Sequence, residues 1–185
     1  MLIVLMFLQL VAEKTAKKHD ILFLSDCRIN QRESDITKMF GLNRNSSYKV
    51  YYNSDRESRG VAIAIKRNIF HEVIETHKSG DQKCILLKIR IKGRLLAMGS
   101  IYGPNEQKPE FFGELRNKLE AWDVPFIIGG DFNTILDRSI GPDNLDNEGR
   151  GRVPNLRNSE VITNWIEQGN CAEPFRALYP EQIYH

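Results

Sequence analysis

The sequence predicts a layered α/β domain whose sheets carry polar residues at one end. Three apolar runs that are typical of buried strands each end in polar residues, at 25–26, 102–105 and 131–133. Strands alternate with long connections along the chain, and hairpins join some of them. This order is typical of sheets packed in layers with helices, and it predicts that the three polar ends meet in one cluster.

The composition is that of an ordinary globular protein. We interpret residues 1–185 as a single domain, since 185 residues with 41% hydrophobic and 27% charged side chains can bury a sizeable core. A net charge of +2 is too small to indicate a nucleic-acid binder, so any basic surface must be local. The three cysteines lack paired spacing, which favours a reducing compartment, nuclear or cytoplasmic, over a disulfide framework or a zinc site.

The first residues are strongly apolar but lack the features of a targeting segment. Residues 2–12 have no basic flank and no small-residue cleavage site, and they are too few to span a bilayer. Charge begins at Glu13 and builds through Lys18. We predict a buried helix over residues 2–18 and no membrane association; a signal anchor is the alternative.

The next elements follow from short apolar or alternating runs. Residues 21–24 predict a buried strand, and residues 35–40 fit a short helix. Residues 47–53 alternate and are rich in tyrosine, which predicts a strand. Residues 60–65 predict another strand, with small side chains on one face and therefore a close neighbour there.

An alternating strand and a tight turn are predicted in the middle of the chain. In residues 84–92 apolar side chains face inward, and Lys88, Arg90 and Lys92 face outward. Lys92 and Gly93 predict a tight hairpin into residues 95–102. Three cations on one face could contact a phosphate backbone, but we favour the simpler interpretation of a solvated face.

Two helices and one long loop are predicted in the second half. Residues 109–122 form an amphipathic pattern with Phe112, Leu115 and Leu119 on one side. Residues 158–168 are also helical. Between them lie residues 136–157, rich in Asp, Asn, Gly and Arg, and a segment of this length is usually functional or mobile.

The most informative stretch is residues 126–134, where an apolar run meets two glycines, a carboxylate and an amide. Gly129 and Gly130 allow a tight turn or the close approach of a ligand. In an extended segment Asp131 and Asn133 would project together from the strand end, where α/β sheets commonly place chemistry. The carboxylate could bind a hard cation or orient a water, and the amide could donate to a phosphate. The alternative is a strand end followed by an Asx turn.

This stretch also carries a resemblance to a known family. The run Gly129-Gly130-Asp131-Phe132-Asn133 resembles the signature of the endonuclease/exonuclease/phosphatase superfamily, which includes DNase I, apurinic-site repair endonucleases and inositol phosphatases. Four further motifs are similar, in the same order, to the endonuclease domain of LINE-type (non-LTR) retrotransposons. These are Arg59-Gly60-Val61-Ala62-Ile63, Ile101-Tyr102-Gly103-Pro104-Asn105, Leu136-Asp137-Arg138-Ser139 and Phe175-Arg176-Ala177-Leu178-Tyr179-Pro180. The similarity covers nearly the whole chain.

The resemblance implies a fold and a reaction. The fold would be a DNase I-like four-layer α/β sandwich, with two mostly antiparallel sheets face to face and helices outside. The reaction would be hydrolytic cleavage of a phosphodiester in DNA with Mg²⁺ or Mn²⁺ and no small-molecule cofactor. The resemblance also implies a reverse transcriptase domain as a partner in the full-length protein.

The resemblance assigns roles to five residues. Asp131 matches the aspartate that orients or deprotonates the attacking water. Asn133 matches the amide that binds the scissile phosphate. Tyr102 matches a tyrosine that donates towards the phosphate, and Asn105 lies in the motif beside it. Asp26 falls where the family has its metal-binding glutamate. We therefore predict that Asp26 and Asp131 lie close together at one end of the paired sheets, with Tyr102 and Asn133 on the same cleft. The alternative is that Asp26 merely caps the turn after its strand, with Arg28 as its partner.

The sequence also departs from the family. Asp26 is one methylene shorter than a glutamate. The family's first-strand asparagine and its late Ser-Asp-His motif have no counterpart here, so we expect a sandwich that is incomplete at both ends and an impaired enzyme. A catalytically inactive remnant, at most a weak nucleic-acid-binding module, is the alternative function. A phosphatase of the same superfamily is a third, less favoured one.

Overall fold

The computed structural model describes residues 5–6, 19–27, 48–54, 60–134 and 156–168. In this part of the chain lie eight strands and two helices. The strands are β1 Leu5–Met6, β2 Ile21–Cys27, β3 Tyr48–Asn53, β4 Gly60–Lys66, β5 His71–Lys78, β6 Cys84–Ile91, β7 Arg94–Tyr102 and β8 Phe126–Asp131. The helices are α1 Pro109–Trp122 and α2 Leu156–Gln168.

The described strands form two sheets, one mixed and one antiparallel. The larger sheet has the order β1-β8-β7-β6-β5, in which β8 runs parallel to both β1 and β7 and the other neighbours are antiparallel. The smaller sheet has the order β2-β4-β3 and is antiparallel throughout. Two sheets with helices are the arrangement that the resemblance implied, so the predicted α/β sandwich class is confirmed.

The core is organised in layers. Between the two sheets lies one apolar cluster, to which Phe23, Ile63 and Met98 contribute. A second cluster joins the outer face of the larger sheet to α1 and α2, with the Phe126 and Trp165 rings stacked 5.4 Å apart. The outer face of the smaller sheet is buried as well, as a fourth layer would require.

Helix α1 has the predicted bounds. Pro109 starts it because proline suits the first helical position, where no hydrogen bond is lost. Asp123 ends it in the left-handed conformation, and its N–H donates to Glu120 O. Phe112, Leu115 and Leu119 are buried on the face that meets the sheet, as predicted. Neither described helix has the length and apolarity needed to cross a membrane.

Two of the predicted elements need correction. Leu5–Met6 is a strand paired with Ile128 and Gly129, so the helix predicted over residues 2–18 is wrong at these two positions. A short apolar run does not distinguish a buried parallel strand from a buried helix. The long loop predicted to end at residue 157 ends earlier, because α2 begins at Leu156. The rest of both segments, and the helix predicted over residues 35–40, lie outside the described residues.

The outward face of β6 is largely covered rather than solvated. Leu86 on this face is fully buried beneath α1, and Lys88 Nζ donates to Trp122 O at 3.2 Å. Arg90 pairs with Glu72 on β5. Lys88 and Arg90 are therefore bonded to neighbouring elements, and the solvated-face interpretation is wrong at Lys88. The predicted hairpin is confirmed, since Lys92 and Gly93 have φ of 49° and 79°, which suits a two-residue type I′ turn.

Candidate active site at one end of the paired sheets

The parallel pair β7–β8 brings two predicted site residues side by side. The register runs from Ala97 opposite Phe126 to Tyr102 opposite Asp131. Because these parallel strands are in register, Tyr102 and Asp131 lie side by side at the same edge of the sheet. Just beyond this pair, Gly103 N–H donates to Asp131 O at 2.6 Å, which links the two strand ends.

Two glycines allow these strand ends to approach so closely. Gly130 has φ of +132°, and a Cβ there would overlap the carbonyl oxygen of Ile101. A Cβ at Gly103 would overlap the carbonyl of Phe132 in the same way. The sequence predicted a tight turn or a close ligand at the Gly-Gly pair. At Gly130 the close neighbour is the backbone of β7.

Asp131 and Asn133 are joined by an Asx turn. The N–H of Asn133 donates to Asp131 Oδ1 at 2.9 Å, and Asn133 has a left-handed φ of 48°. The prediction that Asp131 and Asn133 project together from an extended segment is therefore wrong, and the alternative Asx-turn interpretation is confirmed. The two side chains are still neighbours, because the turn orients the carboxylate against the backbone of the amide residue.

The turn also fixes the amide of Asn133. Its Nδ2 donates to Gly103 O at 2.7 Å, so the side chain bridges the ends of β7 and β8. The carboxylate of Asp131 is half-buried in this network, as is the amide.

Tyr102 and Asn105 lie in different surroundings. Tyr102 is only 7% exposed and packs with Phe23 and Val61 in the core between the sheets. Asn105 is exposed in the bend that follows β7. The segment after Asn105 is fixed by the fully buried Asn158 of α2, which accepts from Lys108 N–H and donates to Glu106 O, each at 2.9 Å.

Asp26 lies in a β-bulge near the end of β2. Leu24 pairs with Ala62, but Cys27 pairs with Gly60, so β2 holds one extra residue in this interval. Asp26 has φ of 55° and is exposed. Aspartate tolerates this conformation better than most residues. Bulges commonly redirect a side chain at the rim of a sheet, and here the redirected region contains a carboxylate.

Side-chain hydrogen bonds join this end of the smaller sheet to the larger one. Asn53, at the end of β3, donates through Nδ2 to Ser79 O at 2.8 Å and to Cys84 O at 2.9 Å. Cys84 in turn pairs with Ile101, the residue before Tyr102.

A second cross-sheet bond lies nearer to Asp26. Ser100 Oγ donates to Leu24 O at 2.9 Å. Asp26 follows Leu24 by two residues, as Tyr102 follows Ser100. The ends of β2, β7 and β8 therefore lie at one end of the sandwich, while direct proximity of the Asp26 and Asp131 carboxylates remains a prediction.

The two described cysteines at this end are unreactive. Burial, and secondarily the charge of Asp26, raises the pKa of the Cys27 thiol to about 12. Burial, and secondarily the charge of Asp81, raises the pKa of Cys84 to about 12. Both thiols are protonated at neutral pH and are poor nucleophiles and poor metal ligands.

The oxygen donors suit a hard cation bound by few protein ligands. Within residues 5–6, 19–27, 48–54, 60–134 and 156–168, no three His, Cys, Asp or Glu side chains form a ready metal cluster. Magnesium usually takes one or two carboxylates and completes its shell with water and substrate phosphate. Among the described residues, Asp26 and Asp131 are the predicted carboxylate ligands at this end, and such oxygen ligands fit Mg²⁺ or Mn²⁺ and do not fit a thiolate-bound zinc.

Sequence reasoning missed three polar residues that shape this end. Ser100, Asn53 and Asn158 each have low exposure and hydrogen-bond across element boundaries. Ser100 was the detectable one, because a lone hydroxyl interrupts an otherwise apolar strand. The partners of all three are distant in the chain, so only the fold reveals them.

A sandwich of a mixed and an antiparallel sheet with helices, and an acid–amide turn at its glycine-rich end, define a DNase I-like fold. The model of the Endonuclease/Exonuclease/phosphatase family matches residues 5–179, and the chain belongs to that family. The predicted resemblance to this superfamily is thereby confirmed.

Similar solved structures include an AP endonuclease from Archaeoglobus fulgidus, at 19% identity and a TM-score of 0.51, covering 80% of this chain and 61% of that one. Another is the endonuclease domain of TRAS1, a telomere-specific non-LTR retrotransposon, at 14% identity and a TM-score of 0.51, covering 85% and 63%. D. rerio TDP2 complexed with a single-strand DNA product matches at 14% identity and a TM-score of 0.45, covering 65% and 50%. At these identities the likeness concerns the fold, and the chain spans only 50% to 63% of these structures.

Proposed function

We propose that this chain is the metal-dependent phosphodiesterase domain of a retrotransposon-derived protein and that it nicks DNA. One observation carries the proposal: Tyr102 and Asp131 are paired at the ends of parallel strands, and Asn133 is bonded to both strand ends. Phosphodiester hydrolysis needs a phenol, a carboxylate and an amide together in one active site. Membership of the family supports this use of them.

The chemistry assigns one task to each group. The Asp131 carboxylate, oriented by the N–H of Asn133, orients a water and accepts its proton as the water oxygen bonds to phosphorus. The bond from phosphorus to the leaving sugar oxygen then breaks. The Asn133 amide and the Tyr102 hydroxyl donate to the non-bridging oxygens, where charge develops.

A divalent cation would complete the site. Asp26 and Asp131 would hold Mg²⁺ or Mn²⁺, which supplies stabilisation of the phosphate charge. Asn105, exposed beside the end of β7, would contact the substrate rather than the cation.

DNA is the substrate that the motif pattern favours. The five motifs follow the order found in LINE-type endonuclease domains, and one structure of similar fold is such a domain. We propose a reverse transcriptase domain as a partner elsewhere in the full-length protein, and an intracellular site of action, nuclear or cytoplasmic.

A second candidate is an inactive remnant that at most binds nucleic acid weakly. The shorter acid at position 26 favours it. A small-molecule phosphatase has less support, since the motif order resembles that of a DNA endonuclease.

Nicking of supercoiled plasmid separates these candidates. We expect slow nicking in Mg²⁺ that EDTA abolishes and that Asp131→Asn lowers by about 10²–10³-fold. Asparagine retains the Oδ1 acceptor for the Asn133 N–H, so the turn survives. The matched control is Asp123→Asn, an exposed acid at the C-terminal end of α1, at the opposite end of β8. Nicking that survives Asp131→Asn contradicts the proposal, and a wild-type chain without any nicking favours the inactive remnant.

A further inference from the structure

Ser100 is a fully buried hydroxyl in an otherwise apolar strand. It lies in β7 between Gly99 and Ile101 and has 0% exposure. A buried hydroxyl is costly unless it is hydrogen-bonded. Its Oγ donates across the sandwich to Leu24 O at 2.9 Å, and this bond satisfies it.

The acceptor of this bond borders the bulge that contains Asp26. The ladder between β2 and β4 shifts register between Leu24 and Cys27. On the far side of the bulge, Ser54 Oγ donates to Cys27 O at 3.2 Å. Two serine hydroxyls thus fix the carbonyls that flank the bulge. Ser100 belongs to β7 of the larger sheet, and Ser54 follows β3 of the smaller sheet.

The donor strand connects this bulge to the rest of the candidate site. Ser100 pairs with Gly129 in β8, and Tyr102 pairs with Asp131 two residues later. The Phe23 side chain also packs where a Cβ at Gly129 would lie, so β2 and β8 are in contact at this level. The side-chain hydrogen bond from Ser100 to Leu24 therefore joins β2 to β7 next to the packing contact of Phe23 with β8.

We propose that Ser100 is a positioning residue, which orients the Asp26 bulge relative to Tyr102 and Asp131. The inference rests on the proposed function, because it assigns Asp26 to the cation. The hydroxyl fixes the backbone just before the bulge, and the bulge fixes the direction of the carboxylate. Loss of a residue that orients a ligand commonly weakens metal affinity by about 10–100-fold.

The test is a double-mutant cycle on Mn²⁺ affinity, measured by the electron paramagnetic resonance signal of free Mn²⁺. We expect Ser100→Ala to weaken Mn²⁺ binding by about tenfold in the wild-type background. In the Asp26→Asn background the same change should have no further effect, because Ser100 acts only through Asp26. A general loosening of the structure would weaken binding in both backgrounds.

Asn53→Ala is the matched control, because the Asn53 side chain also joins the two sheets but donates to Ser79 O and Cys84 O instead of to the bulge. We expect it to lower the melting temperature and to leave Mn²⁺ affinity within about twofold of the wild type. If Ser100→Ala does not fold, Ser100→Cys carries the same cycle with a weaker donor.

The possible failures are distinguishable. Mn²⁺ affinity that depends on Asp26 and Asp131 but not on Ser100 overturns this inference alone. A folded wild-type chain that binds no Mn²⁺ overturns the proposed metal site and the inference with it.

Discussion

Replacing Gly130 by alanine tests the structure of the candidate site at its most constrained backbone position. Gly130 has φ of +132°, a region that is essentially restricted to glycine. A Cβ there would overlap Ile101 O and lie 2.9 Å from Ile101 N, and both are backbone atoms that no rotamer change can move. We therefore expect Gly130→Ala to be destabilising.

The expected magnitude comes from these two terms. An unsuitable backbone conformation costs about 1–3 kcal/mol, and forced overlap in a packed core adds about 1–3 kcal/mol. A total of about 2–6 kcal/mol should lower the melting temperature by roughly 4–24 °C, at about 2–4 °C for each kcal/mol in a domain of this size.

The assay is thermal and urea denaturation followed by circular dichroism. The matched control is Gly113→Ala in α1, where an added Cβ would meet nothing within 4 Å. That change should stabilise the protein by about 0.5–1 kcal/mol, because alanine is the better helix former. A Gly130→Ala variant that melts with the wild type would refute the backbone account of this strand end.

Three further predictions concern the surroundings of the site. Asn158→Ala should lower the free energy of unfolding by about 1–3 kcal/mol in urea titrations, because it leaves Lys108 N–H and Glu106 O unpaired; an unchanged midpoint would contradict this. The hydrogen bond and charge of Lys66 lower the pKa of Asp20. The ionised Asp20 carboxylate therefore contributes to the stability of the fold above its ordinary pKa of 3.8, and this contribution is lost as the pH falls through the lowered pKa. The Asp20→Asn variant should therefore lose less stability than the wild type on acidification, and parallel pH profiles would rule out that linkage. In a Cys171→Ser background, the two buried thiols should react with a thiol reagent at pH 8 only on unfolding, and rapid labelling of the native protein would count against their burial.

Much of the fold could be predicted because local patterns agree with the tertiary structure. The pattern over residues 109–122 gave the helix bounds, since proline marks the start and the apolar side chains recur with helical spacing. Lys92 and Gly93 gave the hairpin because a two-residue turn there requires positive φ. The short run at Leu5 was misassigned, because a short apolar run does not distinguish a strand from a helix.

The members of the candidate site come from the resemblance and stay a prediction, whereas the geometry around them comes from the fold. Only the parallel register of β7 and β8 shows that Tyr102 and Asp131 lie side by side. The alternation rule failed at Asn133, because its backbone leaves the extended conformation to form the Asx turn. Ser100 was not predicted because its partner, Leu24, is 76 residues away in the chain.

The central claim is that this end of the sandwich binds a divalent cation for phosphodiester cleavage. The most direct measurement is a crystal structure of the wild-type chain grown with Mn²⁺, with the ion located by its anomalous scattering. We predict an anomalous peak within coordination distance of the Asp131 carboxylate, in a shell that also contains Asp26 directly or through a water. A well-diffracting crystal with no peak at this end, or with a peak bound only by residues elsewhere, would contradict the account.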